Sequence, residues 1–146
     1  MEKYIGTKII HAEPMEKDGR AGYKVVYDPD GYESWSPKDV FEDAYRPTSG
    51  MNFGLAIEAA KMGKRIARRG WNGKGMFLWL KPATTVKAEY CKDEMLKELV
   101  EANGGEMLAL GTICMYTHDS TGRKAILTGW LASQTDMLSD DWQIVE

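Results

Sequence analysis

The architecture of this chain is set by residues 51–81, which read MNFGLAIEAAKMGKRIARRGWNGKGMFLWLK. Asn52 is a typical helix N-cap, apolar residues recur after it at helical spacing, and Gly63 is placed where a C′ glycine ends a helix. Residues 64–69 and 75–81 flank a tight turn with an Asn-Gly pair, a strong local signal for a β-hairpin. The segment therefore predicts a helix followed by two antiparallel strands.

The remaining C-terminal sequence predicts further strands and two more helices. Residues 88–103 carry an amphipathic stripe that two glycines end, and residues 107–117 and 124–130 flank a turn and predict a second hairpin. Residues 133–136 have the form of a capping box before a short helix, and residues 142–145 predict a last strand. Together these elements predict an α+β fold, a small antiparallel sheet with short helices.

The N-terminal part of the chain predicts a small ββα-like module. Residues 4–12 and 23–27 are rich in β-forming side chains, and a strong turn signal separates the second of these strands from residues 32–35, which complete a hairpin. Ser36 and Pro37 then predict a helix start, with Ser36 as N-cap and Pro37 at the first helical position. So few elements bury little apolar surface, so we expect the module to pack against another part of the chain.

The chain divides at residues 47–50, which contain proline, serine and glycine and predict a linker. Residues 1–46 are the N-terminal module on this division. Residues 51–146 are a second domain, which begins at a methionine. The sequence therefore predicts two small domains joined by a short linker.

Composition and charge argue against several classes of protein. The chain has 146 residues, 43% of them hydrophobic, and a formal net charge of −3 without a basic tail or stripe, which argues against a nucleic-acid-binding protein. Two cysteines cannot form a four-cysteine zinc site, and their spacing does not decide whether they pair. No apolar run reaches membrane-spanning length, so we expect a cytoplasmic protein without membrane contact.

Two tryptophan-bearing loops are the main candidates for a functional site. Residues 70–77 and 129–138 each place a large flat ring beside small and hydrogen-bonding residues, which suits a planar ligand. For Trp71 and Asn72 the structural alternative is a hairpin turn at the edge of the core, and the functional one is stacking on a base with a hydrogen bond to its edge or ribose. Residues 133–136 are likewise either a helix cap alone or a cap that also meets phosphate or ribose.

Basic side chains surround the first of these loops. Strand alternation places Arg65 and Arg69 on one side, where they are either a solvated face or a contact to phosphate. His11 and His118 are isolated, with no serine or cysteine at nucleophile–base spacing, and the acidic pairs are typical of exposed surface. The sequence therefore predicts binding, without a catalytic residue and without a metal site.

From residue 51 onward the sequence resembles the second type of phage Thoeris anti-defence protein. Three motifs carry the resemblance in order: MNFG at 51–54, IARRGWNGKGMFL at 66–78 and GWLASQTDMLSDDW at 129–142. Two features depart from the shortest members of that family, the N-terminal unit and a helix-like insertion over residues 87–104. The preferred ligand and the role of both additions stay open on the sequence.

The resemblance implies a molecular sponge and not an enzyme. Members of the family bind the cyclic ADP-ribose-type signals of bacterial TIR-domain proteins, such as glycocyclic ADP-ribose, and hold them intact so that the downstream effector never fires. Some members also trap cyclic dinucleotides of CBASS immunity at a separate site. The resemblance further implies a homotetramer with signal pockets between subunits, action in the cytoplasm of the infected host, and no cofactor.

Nine positions form the predicted ligand site, eight of them within the family motifs and Arg65 directly before the second motif. Side-chain chemistry suggests that Trp71 and Asn72 contact the nucleotide and that Met76 and Phe77 form an apolar pocket wall. Contacts to ribose or phosphate are expected from Gln134, Thr135 and Asp136 of the same or a neighbouring subunit. Arg65 and Arg69 are expected to contact phosphate.

Two other functions stay open on the sequence alone. An enzyme that cleaves the same signal needs an acid or base beside the ligand, for which Asp136 and His118 are the candidates. A phage structural or host-interaction module uses the aromatic side chains as core and leaves the loops without a ligand. Intact ligand recovered from the complex argues against the enzyme, and failure to bind any cyclic nucleotide favours the structural module.

Overall fold

The computed structural model describes residues 1–71 and 75–146 of the chain. The predicted ligand residue Asn72 and most of the turn predicted around it lie outside these residues. The described residues form three antiparallel sheets and four short α-helices, which confirms the α+β class. No helix in this part of the chain is long and apolar enough to cross a membrane. Cys91 and Cys114 are both free.

The N-terminal module is a three-stranded sheet followed by a helix. Its elements are β1 (His11–Pro14), β2 (Gly22–Tyr27), β3 (Tyr32–Pro37) and α1 (Lys38–Ala44), and β2 is the central strand. The ring of Phe41 stacks on Tyr23 of β2 at a centroid distance of 4.1 Å and on Tyr45 at 5.0 Å. These contacts hold α1 against the sheet, and the predicted hairpin and helix of this module are confirmed.

The first strand of the module is shorter than the sequence predicts. The prediction of a strand over residues 4–12 is wrong for residues 4–10, because β1 covers only His11–Pro14. Residues Tyr23 to Val26 of β2 pair with His11–Pro14, and residues 1–10 have no strand beside them. A β-rich segment without a partner for its backbone groups does not become a strand.

The helix of the module begins later than the sequence predicts. Ser36 is not its N-cap, because Ser36 pairs with Tyr23 in the sheet and Pro37 pairs with Gly22. Pro37 takes the N-cap position with an extended backbone and without a side-chain cap, so the first helical residue is Lys38. The sheet therefore continues through the two residues that were expected to start the helix.

The second part of the chain is built on a five-stranded antiparallel sheet. In chain order its elements are α2 (Phe53–Lys61), β4 (Arg65–Arg68), β5 (Phe77–Lys81), β6 (Thr84–Lys87), α3 (Glu94–Ala102), β7 (Glu106–Ala109), β8 (Thr112–His118), β9 (Lys124–Thr128), α4 (Gln134–Leu138) and β10 (Trp142–Val145). The strand order of the large sheet is β10-β4-β5-β8-β9, and β6 pairs separately with β7. The two strands of the first predicted hairpin and the predicted last strand are present, and β8 and β9 form a second hairpin.

Helix α2 covers one face of the five-stranded sheet and is capped as the sequence predicts. Asn52 Oδ1 accepts a hydrogen bond from the backbone N–H of Leu55 at 2.9 Å, and Gly63 has a φ of 85°, a conformation that favours glycine. Small side chains on α2 allow a close approach to the sheet. The core residues between them are Met51, Ala56, Ala59, Ala60, Ile66, Leu78, Met115 and Trp142.

The insertion contains the predicted helix, and a strand that the sequence did not reveal leads into it. Helix α3 (Glu94–Ala102) lies within the helix predicted over residues 88–103, whereas β6 was not predicted. The single strand expected over residues 107–117 is wrong, because β7 pairs with β6 and β8 pairs with β5. The chain changes sheets at Gly111, where a Cβ atom would lie 3.3 Å from the backbone that joins β5 to β6.

Candidate functional site

Three tryptophans from distant parts of the sequence meet beside the core and form what we call the tryptophan cluster. The ring centroids lie 5.4 Å apart for Trp71 and Trp142, 6.1 Å for Trp71 and Trp130, and 6.2 Å for Trp130 and Trp142, with interplanar angles of 77°, 62° and 78°. Phe53 of α2 packs on Trp142 at 5.2 Å. Edge-to-face contacts of this kind are attractive and fix ring orientation. The two tryptophan loops of the sequence are therefore neighbours in the fold.

Asp136 ties the second of these loops to the first. The indole Nε1–H of Trp71 donates to Asp136 Oδ1 at 3.2 Å, and the backbone N–H of Ser133 donates to Asp136 Oδ2 at 3.1 Å. Ser133 Oγ in turn accepts from the backbone N–H of Asp136 at 3.0 Å, which confirms the predicted capping box of α4. The indole Nε1–H of Trp142 donates to the backbone carbonyl of Asp136 at 2.8 Å. A five-residue helix is thus fixed against two tryptophans.

Arg68 lies between two carboxylates at this position. Its Nη1 donates to Asp136 Oδ1 at 2.8 Å and its Nε donates to Asp141 Oδ1 at 2.9 Å. Asp141 Oδ2 also accepts from the backbone N–H of Gly70 at 2.8 Å, and a Cβ atom on Gly70 would lie 2.7 Å from that oxygen. The Arg68 side chain is only 13% exposed. We call Arg68, Asp136 and Asp141 the Arg68 triad.

The pKa values of the triad are shifted towards its charged forms. Burial alone raises the pKa of Asp136, but hydrogen bonds from Arg68, Ser133 and Trp71 outweigh it and lower the pKa to about 2. The Arg68 hydrogen bond lowers the pKa of Asp141, and the two carboxylates together raise the pKa of Arg68. All three groups are therefore ionised at neutral pH, and Asp136 holds no proton that it can donate there.

Several predicted ligand residues lie near the tryptophan cluster. Met76 is half-buried and, like Trp71, packs on the core. Gln134 and Thr135 are the first residues of α4, and both are exposed. Arg69 has an exposed side chain, and its backbone N–H donates to the carbonyl of Asp141 at 3.1 Å. Exposed polar groups therefore lie on a short helix that is anchored to the half-buried ring of Trp71.

Two other predicted ligand residues lie on the opposite face of the sheet. Ile66 and Leu78 pair across β4 and β5 and point into the core, so their neighbours Arg65 and Phe77 point away from α2. The guanidinium of Arg65 lies 4.7 Å from the ring centroid of Phe77, which stacks on Tyr116 at 5.0 Å. Within one subunit the predicted residues are therefore divided between two faces.

Sequence reasoning missed four residues that organise this region, among them Asp141, which belonged to an acidic pair expected on exposed surface. Arg68 was one member of a basic cluster, and only its buried contacts with two aspartates distinguish it. Trp130 and Trp142 stood in the matched motif but were not assigned to the site. Alternation along β4 was the available signal, since it places Arg68 on the same face as Ile66, towards the core.

The polar side chains at the centre of this region bond to one another. Among the residues that the structure describes, no group of three histidine, cysteine, aspartate or glutamate side chains is arranged to hold a metal ion. The oxygens of Asp136 accept hydrogen bonds from the protein itself, whereas Gln134 and Thr135 at the start of α4 are exposed.

Comparison with known proteins finds a matching family and a similar phage protein. The Tad2-like family, described as a Thoeris anti-defense 2-like domain, matches residues 51–145. A protein of Bacillus phage SP01 named Thoeris anti-defense 2 is 36% identical over 97 residues, which are 65% of this chain and 94% of that protein. The residues that the family model matches include the tryptophan cluster and the Arg68 triad.

Proposed function

Because the chain belongs to the Tad2-like family of Thoeris anti-defense 2 domains, we propose that it protects a phage from Thoeris immunity by sequestering the immune signal. The ligand is a cyclic ADP-ribose-type nucleotide such as glycocyclic ADP-ribose, which the protein binds and leaves intact in the cytoplasm of the infected cell. The observation that carries this proposal is the half-buried ring of Trp71, held by Asp136 beside the exposed first turn of α4.

A fixed tryptophan ring is well suited to bind a nucleobase. The indole of Trp71 has its Nε1–H bonded to Asp136 and its ring packed on two other tryptophans, so it loses little freedom when a ligand arrives. Stacking of one base on such a ring is worth roughly 1–3 kcal/mol. Gln134 and Thr135 next to it offer an amide and a hydroxyl for ribose or phosphate.

The energy that a sponge needs supports a site made by more than one subunit. Submicromolar to nanomolar capture corresponds to roughly 8–12 kcal/mol, well beyond one stacked ring. Charge-assisted bonds to a pyrophosphate add roughly 1.5–3 kcal/mol each. Arg65 and Phe77 face away from Trp71 within a subunit, so they reach the same ligand only from a neighbouring subunit. This division favours the homotetramer with shared pockets that the family resemblance implies.

The state of Asp136 favours sequestration over cleavage. Its pKa of about 2 makes it a poor general acid and a weak general base at neutral pH, and its oxygens are occupied by Arg68, Trp71 and Ser133. A residue in this state positions its neighbours better than it moves a proton. The proposal extends to cyclic dinucleotides of CBASS immunity as a second class of ligand.

A structural or host-interaction module is the second candidate, and one observation favours it. The internal bonds of Trp71 and Asp136 are what a purely structural role would require. The two candidates differ at the exposed residues of α4, because a structural role makes no use of their side chains.

The test is calorimetric titration of matched variants with glycocyclic ADP-ribose. Thr135→Ala and Gln134→Ala are expected to weaken binding by about tenfold each, since each removes one hydrogen-bonding group. Thr85→Ala on β6, an equally exposed threonine, is the control and is expected to bind like the wild type. Binding that is lost in all three variants, or unchanged in both α4 variants, contradicts the proposed site. No heat with any cyclic nucleotide supports the structural module.

A further inference from the structure

Helix α3 is fixed at both ends although most of its surface is exposed. The carboxylate of Asp93 accepts a hydrogen bond from the backbone N–H of Leu96 at 2.8 Å, and Gly105 N–H donates to the carbonyl of Val100 at 3.0 Å. The Val100 side chain is fully buried, and the helix contacts β7 and the turn Ala88–Tyr90. The remaining faces of α3 are therefore presented to solvent in one arrangement.

One of these exposed faces is apolar. Met95, Leu99 and Ala102 lie at positions i, i+4 and i+7 and share a face of the helix, which we call the α3 stripe. Met95 is 64% exposed and Leu99 is 50% exposed. Contiguous exposed apolar side chains mark interaction surfaces, and methionine is common where a partner helix docks because its side chain adapts. The stripe is about 10 Å long, two helical turns.

A row of acidic side chains runs beside the stripe. Glu94, Glu98 and Glu101 each precede a residue of the stripe by one position, and we call them the acidic row. All three are exposed, and none forms an ion pair with a described residue, Lys97 of the same helix included. Like charges at this spacing destabilise a helix by about 0.2–0.5 kcal/mol per pair. The acidic row therefore does not serve the stability of α3.

We infer that the α3 stripe binds an amphipathic helix of another protein, with a row of lysine or arginine side chains beside its own apolar face. The apolar face of that helix packs on the stripe, and its basic row meets the acidic row. Side chains on both helices repeat at the same three- and four-residue spacing, so the two rows stay matched over two turns. Because α3 is already fixed, the cost of ordering falls mainly on the partner.

The charges of the chain argue for a different protein and not for a second copy or a membrane. Among the helices that the structure describes, none has more than one basic residue, so a second copy offers no matching basic row. Membrane surfaces carry anionic headgroups, which the acidic row repels. A basic amphipathic helix is the occupant that matches both the stripe and the acidic row.

This docking surface goes beyond the proposed function and does not depend on a nucleotide. The tryptophan cluster and the Arg68 triad lie on other elements of the fold. Titration with a cyclic nucleotide reports on the sponge proposal, whereas the experiment below reports on α3, so either proposal can fail alone.

The experiment is titration of the full-length protein into a fluorescently labelled peptide of leucine and lysine. The peptide has about 14 residues, enough for a helix, and its leucines recur at three- and four-residue spacing. A second peptide has glutamate in place of every lysine. Fluorescence anisotropy is expected to show a Kd on the order of 10 µM for the lysine peptide, as suits a small interface, and at least roughly tenfold weaker binding of the glutamate peptide. Added salt is expected to weaken binding of the lysine peptide.

Two variants with matched controls locate the binding surface on α3. Leu99→Ser interrupts the stripe and is expected to weaken binding of the lysine peptide by roughly tenfold, whereas Leu108→Ser, at an exposed leucine on β7, is expected to have no effect.

The second variant exchanges the sign of the acidic row. Glu98→Lys combined with Glu101→Lys is expected to bind the glutamate peptide and reject the lysine peptide. Glu13→Lys combined with Glu16→Lys changes the net charge equally in the N-terminal module and is expected to keep the wild-type preference.

Four results overturn the inference. They are equal binding of the two peptides or no binding of either, wild-type binding by Leu99→Ser, a charge-exchanged variant that still prefers the lysine peptide, and binding to phosphatidylglycerol vesicles that Leu99→Ser abolishes. The last result would assign the stripe to a membrane. Self-association that Leu99→Ser abolishes, without peptide binding by the wild type, would assign it to a second copy. If circular dichroism shows the charge-exchanged variant to be unfolded, Leu99→Ser and its control decide alone.

Discussion

Replacement of Arg68 by methionine tests whether the Arg68 triad holds the two tryptophan loops together. The substitution keeps the apolar stem of the side chain and removes the guanidinium that bonds to Asp136 and Asp141. Two carboxylates, 14% and 26% exposed, are then left side by side without their cation. We expect a less stable protein in which α4 and Trp71 are no longer fixed to each other.

The magnitude follows from burial and from the pKa of Asp136. Removing one partner of a buried ion pair costs about 3–5 kcal/mol, and the partial exposure of both aspartates lowers this to about 2–4 kcal/mol. A pKa of about 2 for Asp136, against an ordinary value of 3.8, corresponds to about 2 kcal/mol of stability at neutral pH. Arg68 shares that contribution with Ser133 and Trp71, so the expected loss of about 2–4 kcal/mol in the free energy of unfolding comes mainly from the two carboxylates left without their cation.

The pH dependence of this loss has a definite sign. In the wild type, the pKa of Asp136 is depressed, so its contribution is present above pH 3.8 and is lost as the pH falls towards 2. In Arg68→Met, burial and mutual repulsion raise the pKa of both aspartates, so protonation at mildly acidic pH stabilises the folded state. The difference in stability between the two proteins is therefore smaller at pH 4 than at pH 7.

Urea unfolding followed by tryptophan fluorescence measures both quantities. Arg69→Met is the matched control, because the Arg69 side chain is exposed and makes no ion pair with the described residues. This control is expected to change the free energy of unfolding by less than about 0.5 kcal/mol. A loss below about 1 kcal/mol for Arg68→Met, or one equal at pH 7 and pH 4, would refute the reasoning.

Three further predictions concern other elements of the domain. Asn52→Ala removes the N-cap of α2 and is expected to lower the free energy of unfolding by about 1 kcal/mol, measured by urea unfolding, with Asn52→Ser close to the wild type. Gly63→Ala forces a side chain into a φ of 85° and is expected to cost about 1–2 kcal/mol in the same assay, whereas Gly54→Ala inside the helix should not destabilise the protein. Trp71→Phe keeps an aromatic ring but loses the hydrogen bond to Asp136. We expect at least tenfold weaker ligand binding by calorimetry and a loss of only about 1 kcal/mol in the free energy of unfolding. Binding equal to that of the wild type would remove Trp71 from the site.

Local signals in the sequence predicted most elements of the fold. The caps at Asn52 and Ser133 are decided within four residues of the chain, and both are formed as predicted. Predictions failed where a distant partner decides the outcome. Residues 4–10 are β-rich but have no strand beside them, and the chain between β7 and β8 changes partner at Gly111. Such pairing is not encoded in the local residues.

The candidate site shows the same limit. The family resemblance placed Trp71 and Asp136 at one ligand and left open whether one subunit supplies both, because their 65-residue separation gives no local signal. The role of Arg68 depends on two aspartates from the far end of the chain, and no spacing rule connects them. The placement of Arg65 and Phe77 on the other face is a consequence of strand alternation, which the sequence does contain.

Recovery of the ligand from a stoichiometric complex tests the sponge proposal most directly. The wild-type protein is titrated calorimetrically with glycocyclic ADP-ribose, the complex is denatured by heat, and the released nucleotide is identified by mass spectrometry. The account predicts submicromolar binding and quantitative recovery of the intact cyclic nucleotide. Binding followed by release of an altered nucleotide would make the protein an enzyme, and the absence of binding to this ligand and to cyclic dinucleotides would contradict sequestration altogether.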